Sequence, residues 1–323
     1  MPITLAEMKV GMSDKVTQKV VDIFVRESEI LELLPFDNCI SPSGGSTLSY
    51  GYVQKKLPST TAFRAINSEY APSQATTEKK SVDLKVFGGA FEIDRVIKEA
   101  EGIYNNMAYQ MEEKILSAIG TFHNAMINGD AASDANSFDG LDKFLVGQST
   151  EYNTDGTIDL STMALLKENA DVFYEALLKL INSTGAQAIM CNGDMKTKIQ
   201  TVARILGYKT ESEEAFGRTV TSIGEGKVRI IDLKNYVTVE GGVATETPVI
   251  DVTSGGLTDI FAVKFSVTDG FHGVTLTGNS AIRQYQPDFN TPGAVKKGEV
   301  EMVACVALKN VKSAGVLRNI KIR

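Results

Sequence analysis

The residues able to carry chemistry in this 323-residue chain are few and scattered. There are two histidines, His123 and His272, and three cysteines, Cys39, Cys191 and Cys305. A zinc or thiolate site needs such residues a few positions apart or repeated along one helix face, and no pair here has that spacing. Three cysteines, each more than 100 residues from the next, also argue against a disulfide framework, so each reads as a small buried hydrophobe. His123 falls inside a long helical pattern and reads as a helix-surface or interface residue. His272 follows Asp269-Gly270 and reads as a hairpin strand position.

Other chemical signatures fare no better. No nucleophile elbow of the Gly-x-Ser-x-Gly type occurs. Gly224-Glu225-Gly226-Lys227 lacks the full phosphate-loop pattern and lies between strand-like runs rather than before a helix, so it reads as a hairpin turn. Glu112-Glu113 and Glu213-Glu214 are adjacent in sequence and point different ways on a helix, which gives paired-carboxylate chemistry no footing. No catalytic, metal or cofactor-binding residue is expected.

What remains to explain is the set of elements. The composition, 43% hydrophobic and 23% charged with no tryptophan, is that of a globular chain long enough for one large or two modest cores. No apolar run approaches the roughly 18 residues that cross a bilayer, and the first residues lack a basic leader with an apolar core, so a cytosolic product is expected. Charge is uneven. Residues 93–279 carry 26 Asp/Glu against 15 Lys/Arg, whereas residues 44–92 and 280–323 are net basic. With a net charge of −7 the chain is not built to grip duplex DNA, which requires many Lys/Arg contacts.

The organising stretch is Gly45 to Gly129. Leu48, Tyr50 and Tyr52 alternate in one extended run, and Val82, Leu84 and Val86 alternate in another, the period of strands. Between them lies a polar excursion holding Lys55-Lys56-Leu57-Pro58, Arg64 and Tyr70-Ala71-Pro72. A two-stranded hairpin of this length is marginal alone in water, and the expected second surface is a neighbouring copy. A long helix follows without a linker. Val96, Ile97, Ala100, Ile103, Met107, Met111, Ile115, Ala118, Ile119, Phe122 and Met126 mark one buried face, Asp94 is the N-cap and Asn128-Gly129 the stop. Gly102 and Gly120 interrupt it and are the places where it would break or bend.

Residues 5–34 read as one or two amphipathic helices that end at Pro35. Further on, a helix from Ser161 to Gly185, a short buried strand Gln187–Cys191 and a helix after Asn192-Gly193 suggest an α/β layer. From Arg218 onward strands dominate, with hairpin signals at Gly224–Gly226, Gly241-Gly242 and, strongest, Asp269-Gly270. Val300 to Leu308 is a near-continuous apolar strand, and Val316 to Ile322 is the last.

A long hairpin feeding a long helix, with the phrases Phe87-Gly88-Gly89-Ala90-Phe91-Glu92-Ile93-Asp94-Arg95, Asp269-Gly270-Phe271-His272-Gly273-Val274 and Ala314-Gly315-Val316-Leu317-Arg318-Asn319-Ile320, resembles the major capsid protein of tailed bacteriophages. That resemblance implies an α+β fold of the Hong Kong-phage type. Its parts would be an N-terminal arm (1–43), an extended β-hairpin loop (44–92) and a peripheral domain with a spine helix (93–137). A compact α/β axial domain (138–285), a peripheral-domain loop and return strand (286–310) and a C-terminal strand (311–323) would follow.

The implied function is self-assembly as hexamers and pentamers into an icosahedral shell around double-stranded DNA, in the virion after assembly in a bacterial cytoplasm. The partners would be other copies of the chain, with portal, separate scaffolding and decoration proteins. No cofactor and no enzymatic activity are implied. Tyr50, Tyr52, Lys55, Lys56, Arg64 and Val86 are the expected intersubunit contacts. Some relatives join a lysine of this loop to a distant asparagine; Lys55 or Lys56 and Asn290 are the matching atoms, but no local feature activates such a bond, and none is expected. An encapsulin-like nanocompartment shares the implied fold, and an α/β enzyme with an unfamiliar site is the reading from another class.

Overall fold

The computed structural model describes residues 29–40, 45–100, 106–207, 211–215, 218–223, 228–277 and 282–323. The expected helices before residue 29, the Gly224–Lys227 turn, Gly102 and Ile103 lie outside them. The chain enters through α1 (Glu29–Leu33) and β1 (Phe36–Asn38). The ribbon follows as β2 (Ser49–Leu57) and β3 (Thr76–Asp83), antiparallel with Tyr52 opposite Lys80. It runs on into β4 (Lys85–Asp94), α2 (Arg95–Glu99) and α3 (Asn106–Asn128). Next come α4 (Leu141–Leu145), β5 (Glu151–Asn153), α5 (Met163–Thr184), β6 (Ala188–Cys191) and α6 (Gly193–Ile205). The strand-rich remainder comprises β7 (Glu211–Ala215), β8 (Arg218–Ile223), β9 (Val228–Asp232), β10 (Asn235–Glu240) and β11 (Val243–Pro248). The last five strands are β12 (Leu257–Val263), β13 (Phe271–Thr275), β14 (Ile282–Tyr285), β15 (Val295–Leu308) and β16 (Ala314–Lys321).

Two sheets carry the fold. In the first, β15 is the axis: β4 lies along one edge, from Lys85 opposite Ala304 to Asp94 opposite Val295, while β13 and β14 share the other edge and β1 adds outside β13. The second has seven strands in the order β5-β16-β12-β6-β9-β8-β7, with β6 and β9 parallel across α6. Strand alternation gives this sheet two buried faces. Ile189, Cys191, Ile230 and Ile260 face α5 and α6, in a core with Phe173, Leu177 and Ile199. Ala188, Met190, Ile231 and Phe261 face the other way, into the core built on α3. There Phe122 is the hub, with the rings of Phe36, Phe87 and Phe138 each 6.2 Å from its own.

Local chemistry sets the helix ends, at Asp94 as expected. Asp94 accepts the Val96 amide at 2.8 Å, and Asn192 accepts the Met195 amide at 2.8 Å. Thr162 caps α5, accepting the Leu165 amide at 3.3 Å. Gly241 and Gly242 join β10 to β11 with φ of 58° and 82°, the paired left-handed residues of a tight hairpin.

Four expectations need correcting. The single helix Asp94–Asn128 is instead the five residues of α2 and the 23 of α3, the latter roughly 34 Å long. Among the described residues the buried stripe starts at Met107; α2 buries none of its residues, and Val96 and Ile97 are exposed. Second, Asp269-Gly270 does not join a hairpin. The strand before it, β12, pairs with β6 and β16, and the strand after it, β13, pairs with β1 and β15. The turn passes the chain between sheets, and Gly270 does not take the left-handed φ that a two-residue hairpin requires. Third, Val82, Leu84 and Val86 do not share a side. The strand changes partners at Leu84, leaving β2 for β15, and inward positions move from even to odd numbers, so Val86 turns outward. Fourth, Glu213 and Glu214, read as neighbours on a helix, lie in β7, which pairs with β8.

Candidate functional site

The expected contact residues fall into two groups along the β2–β3 ribbon. At its root the side chains are fastened to the chain's own body. Tyr50 donates its hydroxyl to Asp37 Oδ2 at 2.6 Å, its ring meets His272 edge-on at 5.7 Å, and Lys309 Nζ lies 5.3 Å from the ring centre. Tyr52 is buried and donates to the Leu308 carbonyl at 3.3 Å; Gln54 Nε2 donates to the Lys309 carbonyl at 2.6 Å. The sequence pattern made Tyr50 and Tyr52 contacts for a neighbour; the structure places both against β1 and the end of β15.

Beyond the root the ribbon leaves the body. Lys55 and Lys56 are exposed, Lys56 lying 3.8 Å from Glu78 across the strands. The tip, residues 58–75, has no regular strand yet is ordered by its own bonds. The Thr60 amide donates to Ser73 Oγ at 2.7 Å, and Ser68 Oγ donates to the Ala65 carbonyl at 2.8 Å. Arg64 donates to the Ala65 and Ser68 carbonyls at 3.3 and 3.1 Å and lies 5.2 Å from the Tyr70 ring. The result is a small closed loop whose apolar groups face out: Phe63 is fully exposed and Ile66 is 90% exposed. Neither was singled out in the sequence, although two apolar residues inside an otherwise polar excursion were the available signal. Val86 lies on β4, outside the ribbon, with its side chain 57% exposed.

The titratable groups are arranged for packing. His123, expected at the helix surface or an interface, is buried in α3, and burial with the nearby Lys234 charge lowers its pKa to about 4. Its spacing from Ile119 and Met126 placed it on the buried stripe. His272 is completely buried; burial lowers its pKa, and its Nδ1 lies 3.3 Å from the Gly270 carbonyl. Burial would push the Asp37 carboxyl up, but hydrogen bonds from Tyr50 and the Asn38 amide outweigh it and hold the group below its usual range. The three cysteines are buried free thiols, as their spacing implied, and burial pushes Cys39 up to about 11. Among the described residues no group of three His, Cys, Asp or Glu side chains is placed to hold a metal ion. Asn290 is exposed in the loop between β14 and β15.

A groove of about 520 Å³ runs between α3 and β10. Its floor includes the buried Ile30, Ile119 and Leu233, and its rim includes Val237 and Val239, 54% and 68% exposed. At Gly120 the helix meets Tyr236 of β10 closely enough that a β-carbon would be in ordinary van der Waals contact, 3.4 Å from Tyr236 Cβ.

Comparison with solved structures places this architecture. The holo-SrpI encapsulin of Synechococcus elongatus is similar at a TM-score of 0.59 and 10% identity, over 90% of this chain and 87% of that one. The capsid of a native GTA particle is similar at 0.56 and 10%, over 90% and 89%. A structure from Mycobacterium phage Bobi is similar at 0.56 and 10%, over 90% of each chain. At these identities the likeness shows the fold, which is that of phage capsids. Comparison with curated protein sequences gives no match. The family model for the SU10 major capsid protein matches residues 14–321. That match spans both sheets, the ribbon and α3, and the chain therefore belongs to the SU10 major capsid protein family.

Proposed function

We propose that this capsid protein builds a closed icosahedral shell of hexamers and pentamers around the double-stranded DNA of a tailed phage, with the β2–β3 ribbon reaching a neighbouring copy. The observation that carries the reading is the ribbon's division: an anchored root and a tip whose largest apolar groups, Phe63 and Ile66, lie open to water. Exposed apolar surface of this kind marks an interaction site. In this reading Lys55, Lys56, Arg64 and Val86 touch neighbours, while Tyr50 and Tyr52 aim the ribbon from its base. The six-part division, from the arm at 1–43 to the C-terminal strand at 311–323, describes the subunit. The acidic middle of the chain supplies an inner face that does not grip DNA. Assembly takes place in the host cytoplasm, with portal, separate scaffolding and decoration proteins as partners. An encapsulin-type compartment has the same fold, and the family match favours the phage shell.

Electron microscopy of the purified protein tests this reading. Closed shells or capsomers are expected; a monodisperse monomer at high concentration under all ionic conditions would defeat it. Deleting Lys55 to Thr77 should leave a folded protein that no longer closes shells, and normal shells from that deletion would remove the ribbon from assembly.

A further inference from the structure

The root of the ribbon covers an ionisable group that its anchoring bonds do not use. His272 is completely buried on β13, and strand pairing sets it on the same face of the first sheet as Asp37 of β1 and Cys305 of β15. The Tyr50 ring meets it edge-on at 5.7 Å while the Tyr50 hydroxyl holds Asp37. The Gly270 carbonyl, 3.3 Å from Nδ1, can only accept, so Nδ1 carries the proton of the neutral ring. Nε2 is then a bare acceptor, buried and without a hydrogen-bond partner among the described residues. It is the atom that takes up a proton, and water reaches it when the cover lifts.

The surroundings leave His272 as the group that responds near neutral pH. From β1 it is faced by Asp37 and Cys39, from β2 by Tyr50 and Tyr52, and from β15 and its end by Cys305 and Lys309. Asp83, at the end of β3, is exposed, and Asp269, before β13, is paired with Lys264 at 2.7 Å. Despite burial, hydrogen bonds hold Asp37 below its usual range, and burial pushes Tyr50, Tyr52 and both thiols up, so none of these titrates between about pH 5 and 8. Burial lowers the pKa of His272; the Gly270 carbonyl and Asp37 pull the other way, and the Lys309 ammonium adds to the lowering. An uncovered imidazole binds its proton near pH 6.5. As pH falls below that value the open root therefore gains a proton that the closed root refuses, and the closed form loses ground until its own lower pKa is reached.

We propose that His272 is a proton-operated latch for the ribbon: protonation at Nε2 requires the Tyr50 cover to lift, so mild acid frees the ribbon's root while the rest of the subunit stays folded. Its consequence for assembly rests on the shell-forming function, since the latch sets how firmly the ribbon is aimed.

Hydrogen exchange of the full-length, unassembled chain at about pH 7.5 and about pH 5.5, corrected for the intrinsic pH dependence of exchange, tests it. Protection of residues 49–54 is expected to fall roughly threefold or more on acidification, while α5 keeps its protection. His272→Gln should abolish that fall. Tyr50→Phe, which keeps the ring and loses the bond to Asp37, should be more open at both pH values and still respond to acid. Equal protection of the wild-type root at both values, a response that survives His272→Gln, or a parallel loss across α5 would overturn the latch. Should His272→Gln not fold, nitrogen NMR of the wild-type imidazoles decides. A midpoint for His272 below the ordinary value, reached together with loss of root protection, is expected; a ring that titrates normally beneath a closed root overturns the proposal. The measurement needs no shell, so it can fail with the shell-forming function intact. A chain that never assembles would remove that function and leave the latch as a property of the subunit.

Discussion

The root and tip of the β2–β3 ribbon are built from similar residue types and used in opposite ways. At the root, Tyr50, Tyr52 and Gln54 spend their polar atoms on Asp37 and on the carbonyls that end β15, and the Tyr52 ring is buried. At the tip, Arg64 and Tyr70 face one another, Thr60 and Ser73 close the loop, and Phe63 and Ile66 are left to solvent. One continuous ribbon thus has a half that belongs to the subunit and a half held out from it. The boundary falls at the bulge between Lys55 and Leu57, where register shifts. Alternation alone cannot mark such a boundary, because it reports which side chains share a side and not what covers that side.

This difference can be broken from the root. Folding and assembly are best separated in an assembly-defective background, because oligomerisation raises apparent stability. There, Tyr52→Ala should cost about 3 kcal/mol in denaturant unfolding, the usual scale for removing a buried ring. A loss below about 1 kcal/mol would mean that the root is not part of the folded core. Tyr50→Phe removes only the bond to Asp37 and should cost about 1.5 kcal/mol, with hydrogen exchange rising first in residues 49–54; unchanged exchange there would dissociate Tyr50 from the anchor.

A pH effect follows from α3. His123 is held neutral, with a pKa of about 4 against an ordinary value near 6.5. Between those values the unfolded chain binds a proton that the folded chain refuses, so stability should fall as pH drops through that window. His123→Gln should flatten the slope of unfolding free energy against pH, and an unaltered slope would assign it to other groups. The smallest effect belongs to the exposed Lys56–Glu78 pair: Lys56→Ala should change unfolding by less than about 0.5 kcal/mol. Any loss of shell yield from it would then be an assembly effect.

The parts legible in the sequence are those dictated by neighbours along the chain. The stripe from Met107 to Met126, the caps at Asp94 and Asn192 and the Gly241-Gly242 turn each depend on a few consecutive residues. Asp269-Gly270 carried the strongest local hairpin chemistry, yet the apolar strands on either side were claimed by different sheets, and long-range pairing overrode the turn. Val86 was misplaced for a related reason: the change of partner at Leu84 is imposed by β15, more than 200 residues away. Half of the candidate surface was visible in Lys55, Lys56 and Arg64. Phe63 and Ile66 were hidden because their exposure depends on bonds such as Thr60 to Ser73, which tie the loop ends together across 13 positions.

In the proposed shell, residues 58–75 serve a neighbour rather than their own subunit. Cryo-electron microscopy of assembled shells, at a resolution that traces side chains, tests it most directly. Density for Phe63 and Ile66 packed on an adjacent copy is expected, with Tyr50 and Tyr52 remaining on their own β1 and β15. A tip folded back on its own subunit, or standing free in solvent within a closed shell, would contradict it.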